Sequence, residues 1–294
     1  VFTTPFTFIA TAEVIRLVGA VPVFVDIEAN SYNMDAQKLD SAINKTLAEG
    51  KLKPKAIIPV DLFGLPADYD AIDAIANKYN LLTLEDAAQS FGAIYKNKKT
   101  CSFANAAATS FFPAKPLACY GDGGAVFTND DSLAEKLFSI RVHGQAEDRY
   151  KHARIGINGR MDSIQAAVII AKLSIFDDEI SKRNIVANKY NEALKNIVAT
   201  PSVPDFATSV WAQYSVLADN PKHRADLQAK LKQNDIPTAI YYPIPLHLQP
   251  AFADLNYSIN DFPIAESIAD RIFSIPMHPY INDDEIELIA KSFV

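Results

Sequence analysis

The sequence predicts an α/β protein, with a large domain on a mostly parallel sheet over residues 1–178 and a smaller C-terminal α+β domain over 179–294. Three observations carry this. Up to about residue 130, short aliphatic runs alternate with segments of helical spacing, the pattern of parallel βαβ units. A long apolar stripe then begins near Met161, and beyond it strands and helices follow one another without that alternation.

The runs are Val21–Val25, Ala56–Val60 and Leu81–Leu84. Between them, 35–47 and 66–79 are spaced as helices, with Ile72, Ile75 and Tyr79 on one face. Met161, Ile164, Val168, Ala171 and Ile175 recur at intervals of three and four, which predicts one long helix bridging to the second domain. There, Trp211–Leu217 and Thr238–Tyr242 are strand-like, and helices are expected around Leu227, Ala265 and Ile286. Asn282 and Glu285 form a capping pair for the last of these. The proline-rich Tyr242–Pro250 stretch is expected to be a rigid, ordered loop.

A formal charge of −7 excludes nucleic acid as the expected partner, because phosphate backbones require a basic face. No apolar run reaches the roughly 18 residues of a membrane span, so a cytoplasmic protein is expected. Cys101 and Cys119 are too few for a disulfide framework and have no metal-ligand spacing; both are expected to be buried or half-buried, and no metal is expected. Val1 opens the chain in what already reads as a strand and turn, so the native N-terminus is expected to lie further upstream.

In open parallel sheets the ligand sits beyond the carboxyl ends of the strands, which singles out Glu85-Asp86-Ala87-Ala88-Gln89. An Asp here can keep the ring nitrogen of a pyridine cofactor protonated, and Gln89 can approach the ring hydroxyl. Helix capping by Asp86 is the alternative that the residues leave open. The second constellation is SFFPAKPLACYGDGGA, Ser110–Ala125. Lys115 precedes Pro116 and so belongs to a loop, within an apolar stretch that would lower its pKa and suit it to Schiff-base chemistry. A snorkelling lysine is the plainer alternative. Gly121, Gly123 and Gly124 are expected to serve turns at positive φ or a close backbone approach, and they match no glycine-rich nucleotide fingerprint.

At these residues the chain resembles the DegT/DnrJ/EryC1/StrS family of sugar aminotransferases, enzymes of fold type I that depend on pyridoxal 5′-phosphate (PLP). The resemblance extends over Thr3–Asp26, Ile57–Ala67, Glu85–Ala93, Ser110–Asn129, His143-Gly144, Asn158–Ala167 (NGRMDSIQAA) and Tyr241–Pro250. It implies that Lys115 carries the cofactor and moves the proton, that Asp86 pairs with the pyridinium, and that Gln89 lies near the ring oxygen. It further implies that Phe8 stacks on the ring, that Ser110 touches the phosphate, and that Asn158 reaches the phosphate from a neighbouring subunit with Arg160 beside it. The active site would then be shared across a homodimer. The family's Gly-Thr phosphate-binding turn precedes the Thr-Pro-Phe-Thr-Phe segment, so it is expected upstream of Val1. Within the family, FFPAKPLACYGDGGA and YYPIPLHLQP are most similar to the branch that aminates a UDP-linked 2-acetamido-2-deoxy-3-oxo-glucuronate with L-glutamate, for surface polysaccharide such as the lipopolysaccharide O-antigen. Tyr241 and Tyr242 would approach that sugar, and Arg149, Lys151 and Arg154 could join Arg160 at its anionic groups. Lys115 counts against the family's dehydratases, which carry histidine there. With Asp86 and Gln89 it also counts against a sugar-binding module without turnover.

Overall fold

The structure, a computed structural model, describes residues 1–294. In chain order the elements are β1 (Phe2–Thr3), α1 (Ala10–Leu17), β2 (Val23–Phe24), α2 (Ala36–Glu49), β3 (Ala56–Ile58), α3 (Tyr69–Tyr79), β4 (Leu82–Asp86), β5 (Ile94–Tyr95), β6 (Lys98–Lys99), β7 (Ala106–Ser110) and β8 (Gly124–Phe127). They continue with α4 (Asp131–Arg141), α5 (Ser163–Leu173), α6 (Phe176–Leu194), β9 (Ala207–Thr208), β10 (Tyr214–Leu217), α7 (Pro221–Gln233), α8 (Pro263–Arg271), β11 (Ile272–Ile275) and α9 (Asp283–Lys291).

Six strands form the main sheet in the order β2-β1-β3-β4-β7-β8. All neighbours are parallel except β7 and β8. The aliphatic runs read from the sequence lie at β2, β3 and β4, and α2 and α3 fill the expected helical segments. Asp35 caps α2 through Gln37 N and Lys38 N, and Asp68 caps α3 through Ala71 N.

Four apolar clusters hold the molecule. One lies wholly within residues 186–293, around Tyr190, Tyr214, Phe273 and Phe293. Another joins Phe6, Phe24 and Phe63 of the sheet side to Leu246, Phe252, Phe262 and Ile268. In that seam Phe24 meets the edges of Phe252 and Phe262. The buried Asp26 carboxylate beside β2 accepts Ile264 N–H and Ala265 N–H, the first free amides of α8, and pairs with Lys38 at 2.9 Å.

Three expectations are corrected. The long helix from Met161 is two helices, α5 and α6, because Ser174 N–H and Ile175 N–H turn back tightly onto Ala171 O and Lys172 O. Phe176 is thereby buried against Phe91. The apolar stripe is also mostly uncovered: Ile164 is 74% exposed and Ile175 46%, and Ile169, outside the stripe, is the buried residue of α5. Thr238–Tyr242 is not a strand but a loop touching the second sheet through one bridge, Ala239 to Ser274. Pro237 and Pro243 flank the stretch and lack the N–H that would carry pairing beyond it in either direction. The strand that pairs with β10 is β11.

Candidate active site

The sheet brings the two constellations together. Asp86 ends β4, and β7 runs parallel beside it with Ala108 opposite Asp86, so Ser110 sits two residues further along the neighbouring strand. The chain then leaves β7 into the Phe111–Gly123 loop, which carries Lys115, before returning as β8. None of Gly121, Gly123 and Gly124 has positive φ. Close approach explains two of them, since a Cβ on Gly124 would lie 2.7 Å from Thr109 O and one on Gly123 2.7 Å from Cys119 Sγ.

Asp86 does not cap a helix, because a turn follows it. Its Oδ1 accepts Ala88 N–H at 3.2 Å and its Oδ2 accepts the Thr11 hydroxyl at 2.7 Å. Burial pushes its pKa up, while Thr11, Ala88 and the charge of Lys115 pull it down. Burial lowers the Lys115 pKa and the Asp86 charge raises it. Each feels the other's field, yet neither forms an ion pair. A half-buried carboxylate and amine lie within each other's field without pairing, and these are the two groups that a pyridine ring bearing an aldehyde requires. This fits PLP, with the carboxylate at the ring nitrogen and the amine at the aldehyde carbon. Phe8 leaves 58% of its surface open, and its ring centroid lies 6.4 Å from that of Tyr242, so its face is free to take a ring. A cleft of about 600 Å³ beside β2 shares no lining residue with this group.

Gln89 is buried, and its amide is already engaged: Oε1 accepts Phe63 N–H at 2.6 Å and Nε2 donates to the Tyr242 hydroxyl at 3.0 Å. One Nε2 proton stays free for a ring oxygen. Gln89 therefore ties the turn after β4 to the Tyr241–Pro250 loop. Replacing it with leucine leaves Phe63 N–H buried and unpaired, which is expected to cost about 1–3 kcal/mol. A thermal melt checks this, and an unchanged Tm contradicts the tie. Tyr241 packs beside Tyr242, with centroids 5.9 Å apart. Ser110 Oγ accepts Phe112 N–H at 3.2 Å, leaving its proton free to donate.

Asn158 and Arg160 are exposed on the segment joining α4 to α5, and no hydrogen bond joins either side chain to the Asp86–Lys115 group. Arg149 and Lys151 are exposed and Arg154 is half-buried in the preceding loop. Gly144 fixes that loop: a Cβ there would collide with Arg154 O at 1.7 Å, and its φ is +74°.

Sequence reading named Glu85 beside Asp86 but missed its pairing with Asp61 on the opposite face of β4. Glu85, fully buried, accepts Cys101 N–H at 2.5 Å and lies against the fully buried Asp61. Asp61 accepts Ala67 N–H, the Tyr69 hydroxyl and the Ser90 hydroxyl. Burial, then the Asp61 charge, raises Glu85 to about 8 from the ordinary 4.5. The folded chain thus keeps a proton that the unfolded chain releases, so stability falls as pH rises from about 4.5 to about 8 and levels off above that. Glu85→Gln mimics the protonated form and is expected to flatten this slope, gaining on the native protein at the alkaline end. Melting curves across this range check it, and parallel curves contradict it.

The fold and this site are those of a PLP-dependent enzyme of fold type I. The family model described as "DegT/DnrJ/EryC1/StrS aminotransferase family" matches residues 1–294, and the chain belongs to that family. It is 49% identical over 293 residues to the UDP-2-acetamido-2-deoxy-3-oxo-D-glucuronate aminotransferase of Pseudomonas aeruginosa, covering 99% of this chain and 78% of that protein. A DegT DnrJ EryC1 StrS aminotransferase from Brucella abortus superimposes with a TM-score of 0.95 at 51% identity, over 99% of this chain and 78% of the other. DesV of S. venezuelae, solved in complex with a ketimine intermediate, gives a TM-score of 0.91 at 32% identity, over 99% and 76%.

Proposed function

We propose that the enzyme transfers the amino group of L-glutamate to the C3 ketone of UDP-linked 2-acetamido-2-deoxy-3-oxo-glucuronate, in the cytoplasm, for surface polysaccharide synthesis. The observation that carries the substrate is the 49% identity, spread over nearly the whole chain, to an enzyme named for that sugar.

When bound, PLP supplies an electron sink for a carbanion on the substrate carbon. Asp86 holds the proton on the ring nitrogen, and Phe8 covers one ring face. Ser110 gives its free hydroxyl proton to the phosphate, and Gln89 offers its remaining amide proton to the ring oxygen. Lys115 Nζ, its pKa lowered by burial, moves the proton between the substrate carbon and the cofactor side. Tyr241 and Tyr242 line the sugar side, with Arg160 for the anionic groups. Asn158 and Arg160 act across a homodimer interface, a reading supported by their exposure and by the uncovered apolar face of α5 that follows them.

The test supplies the purified enzyme with glutamate and either this 3-keto sugar or a 4-keto deoxy nucleotide sugar. Amination of the first, with one 2-oxoglutarate released per amino sugar, is the expected result. Amination of the 4-keto sugar alone overturns the assignment of position, and no turnover with either overturns the assignment of substrate class.

A further inference from the structure

The Asp86 carboxylate is held from one side by a hydroxyl chain that none of the roles above uses. Thr11, in the first turn of α1, is 5% exposed, and its Oγ1 donates to Asp86 Oδ2 at 2.7 Å. Thr7, 3% exposed, places its own hydroxyl 3.0 Å from Thr11 Oγ1. A threonine hydroxyl has one proton. An ionised carboxylate only accepts, so Thr11 spends its proton on Asp86 and Thr7 must donate to Thr11. The order is therefore Thr7 to Thr11 to Asp86, and each bond polarises the next. The bond to Oδ2 also fixes the carboxylate plane, while Ala88 N–H occupies Oδ1.

The need for such a holder is visible around the site. Asp86 N–H donates to Pro59 O and Asp86 O accepts Asp61 N–H, so its backbone is stitched to the strand carrying the Asp61 carboxyl. Burial favours a neutral Asp86, and Lys115, whose charge opposes this, does not reach it as an ion-pair partner. A neutral Asp86 could not carry a pyridinium.

We infer that Thr11, backed by Thr7, is a positioning residue that fixes the orientation and charge of Asp86 for the cofactor's ring nitrogen. The inference rests on the reading of Asp86 as the partner of that nitrogen.

The test loads the protein and its variants with ¹⁵N-labelled PLP and records the ring-nitrogen chemical shift and the Kd for PLP. Thr11→Val, nearly isosteric but without the hydroxyl, is expected to weaken PLP binding about tenfold or more, the scale of one lost hydrogen bond to a charged group. It is also expected to move the ¹⁵N signal from pyridinium toward neutral pyridine. Thr11→Ser restores the donor and is expected to return both readings to within about threefold of the native protein, since the net worth of the bond is retained. A native ¹⁵N shift and Kd in Thr11→Val, while Asp86→Asn moves the signal, overturns the inference and leaves the role of Asp86 standing. An unmoved signal in Asp86→Asn overturns that role and the inference with it. If Thr11→Val does not fold, Thr7→Val carries the test: it removes the backing donor only, a partial shift toward neutral pyridine is expected, and a native shift overturns the relay.

Discussion

Replacing Lys115 with alanine is expected to reduce transamination by at least about 10³-fold, within the range that a positioned acid–base group contributes. Pro116 keeps residue 115 out of helical geometry, and Lys115 N–H is bonded back to Phe112 O at 2.9 Å, so the backbone is fixed while the half-buried side chain lies within the field of Asp86. Its amine has no anionic partner, and burial makes the free base more accessible than on an exposed lysine. Arginine would keep the charge but not the nucleophile, so Lys115→Arg is expected to be as inactive as Lys115→Ala. Neither change removes a side-chain hydrogen bond, so the Tm is expected to shift little. A steady-state assay beside a melt decides the matter. Activity above about a tenth of the native value, far outside the expected loss, would remove Lys115 from its assigned role.

Asp86→Asn is the second large effect. The carboxylate is the one anionic group at the carboxyl end of β4 on this face, and an amide cannot hold a proton on the ring nitrogen. The change preserves shape, and asparagine can still accept from Ala88 N–H. The expected loss of about 10²–10³-fold in kcat is the scale of removing one preorganised electrostatic contact. Because that contact strengthens as charge develops, kcat is expected to fall more than KM rises. Equal changes in both parameters would assign Asp86 to binding rather than to the chemistry.

Asp86 and Lys115 were legible in the sequence because each follows an apolar strand, where polar residues have few structural reasons to occur. Thr11 was not: a hydroxyl in a first helical turn is commonplace, and only the fold shows that it meets a residue 75 positions away. The pairing of Glu85 was hidden for the same reason, since its partner Asp61 lies on a neighbouring strand extension. The small sheet β6-β5-β9 left no trace either, because strands as short as Lys98–Lys99 have no periodicity to read. The stripe along α5 was correctly seen as apolar, but its pattern does not say whether the cover comes from the same chain.

The seam that joins Phe6 and Phe24 to Phe252 and Phe262 also orders events during synthesis. Leu246 N–H is bonded to Pro5 O at 2.7 Å, and Asp26 accepts Ala265 N–H across 239 residues of sequence. The edge strand β2 therefore cannot complete its packing while the ribosome is still making the first three-quarters of the chain. Until the last stretch emerges, the apolar side of that edge stays uncovered, a surface on which partly made chains can associate.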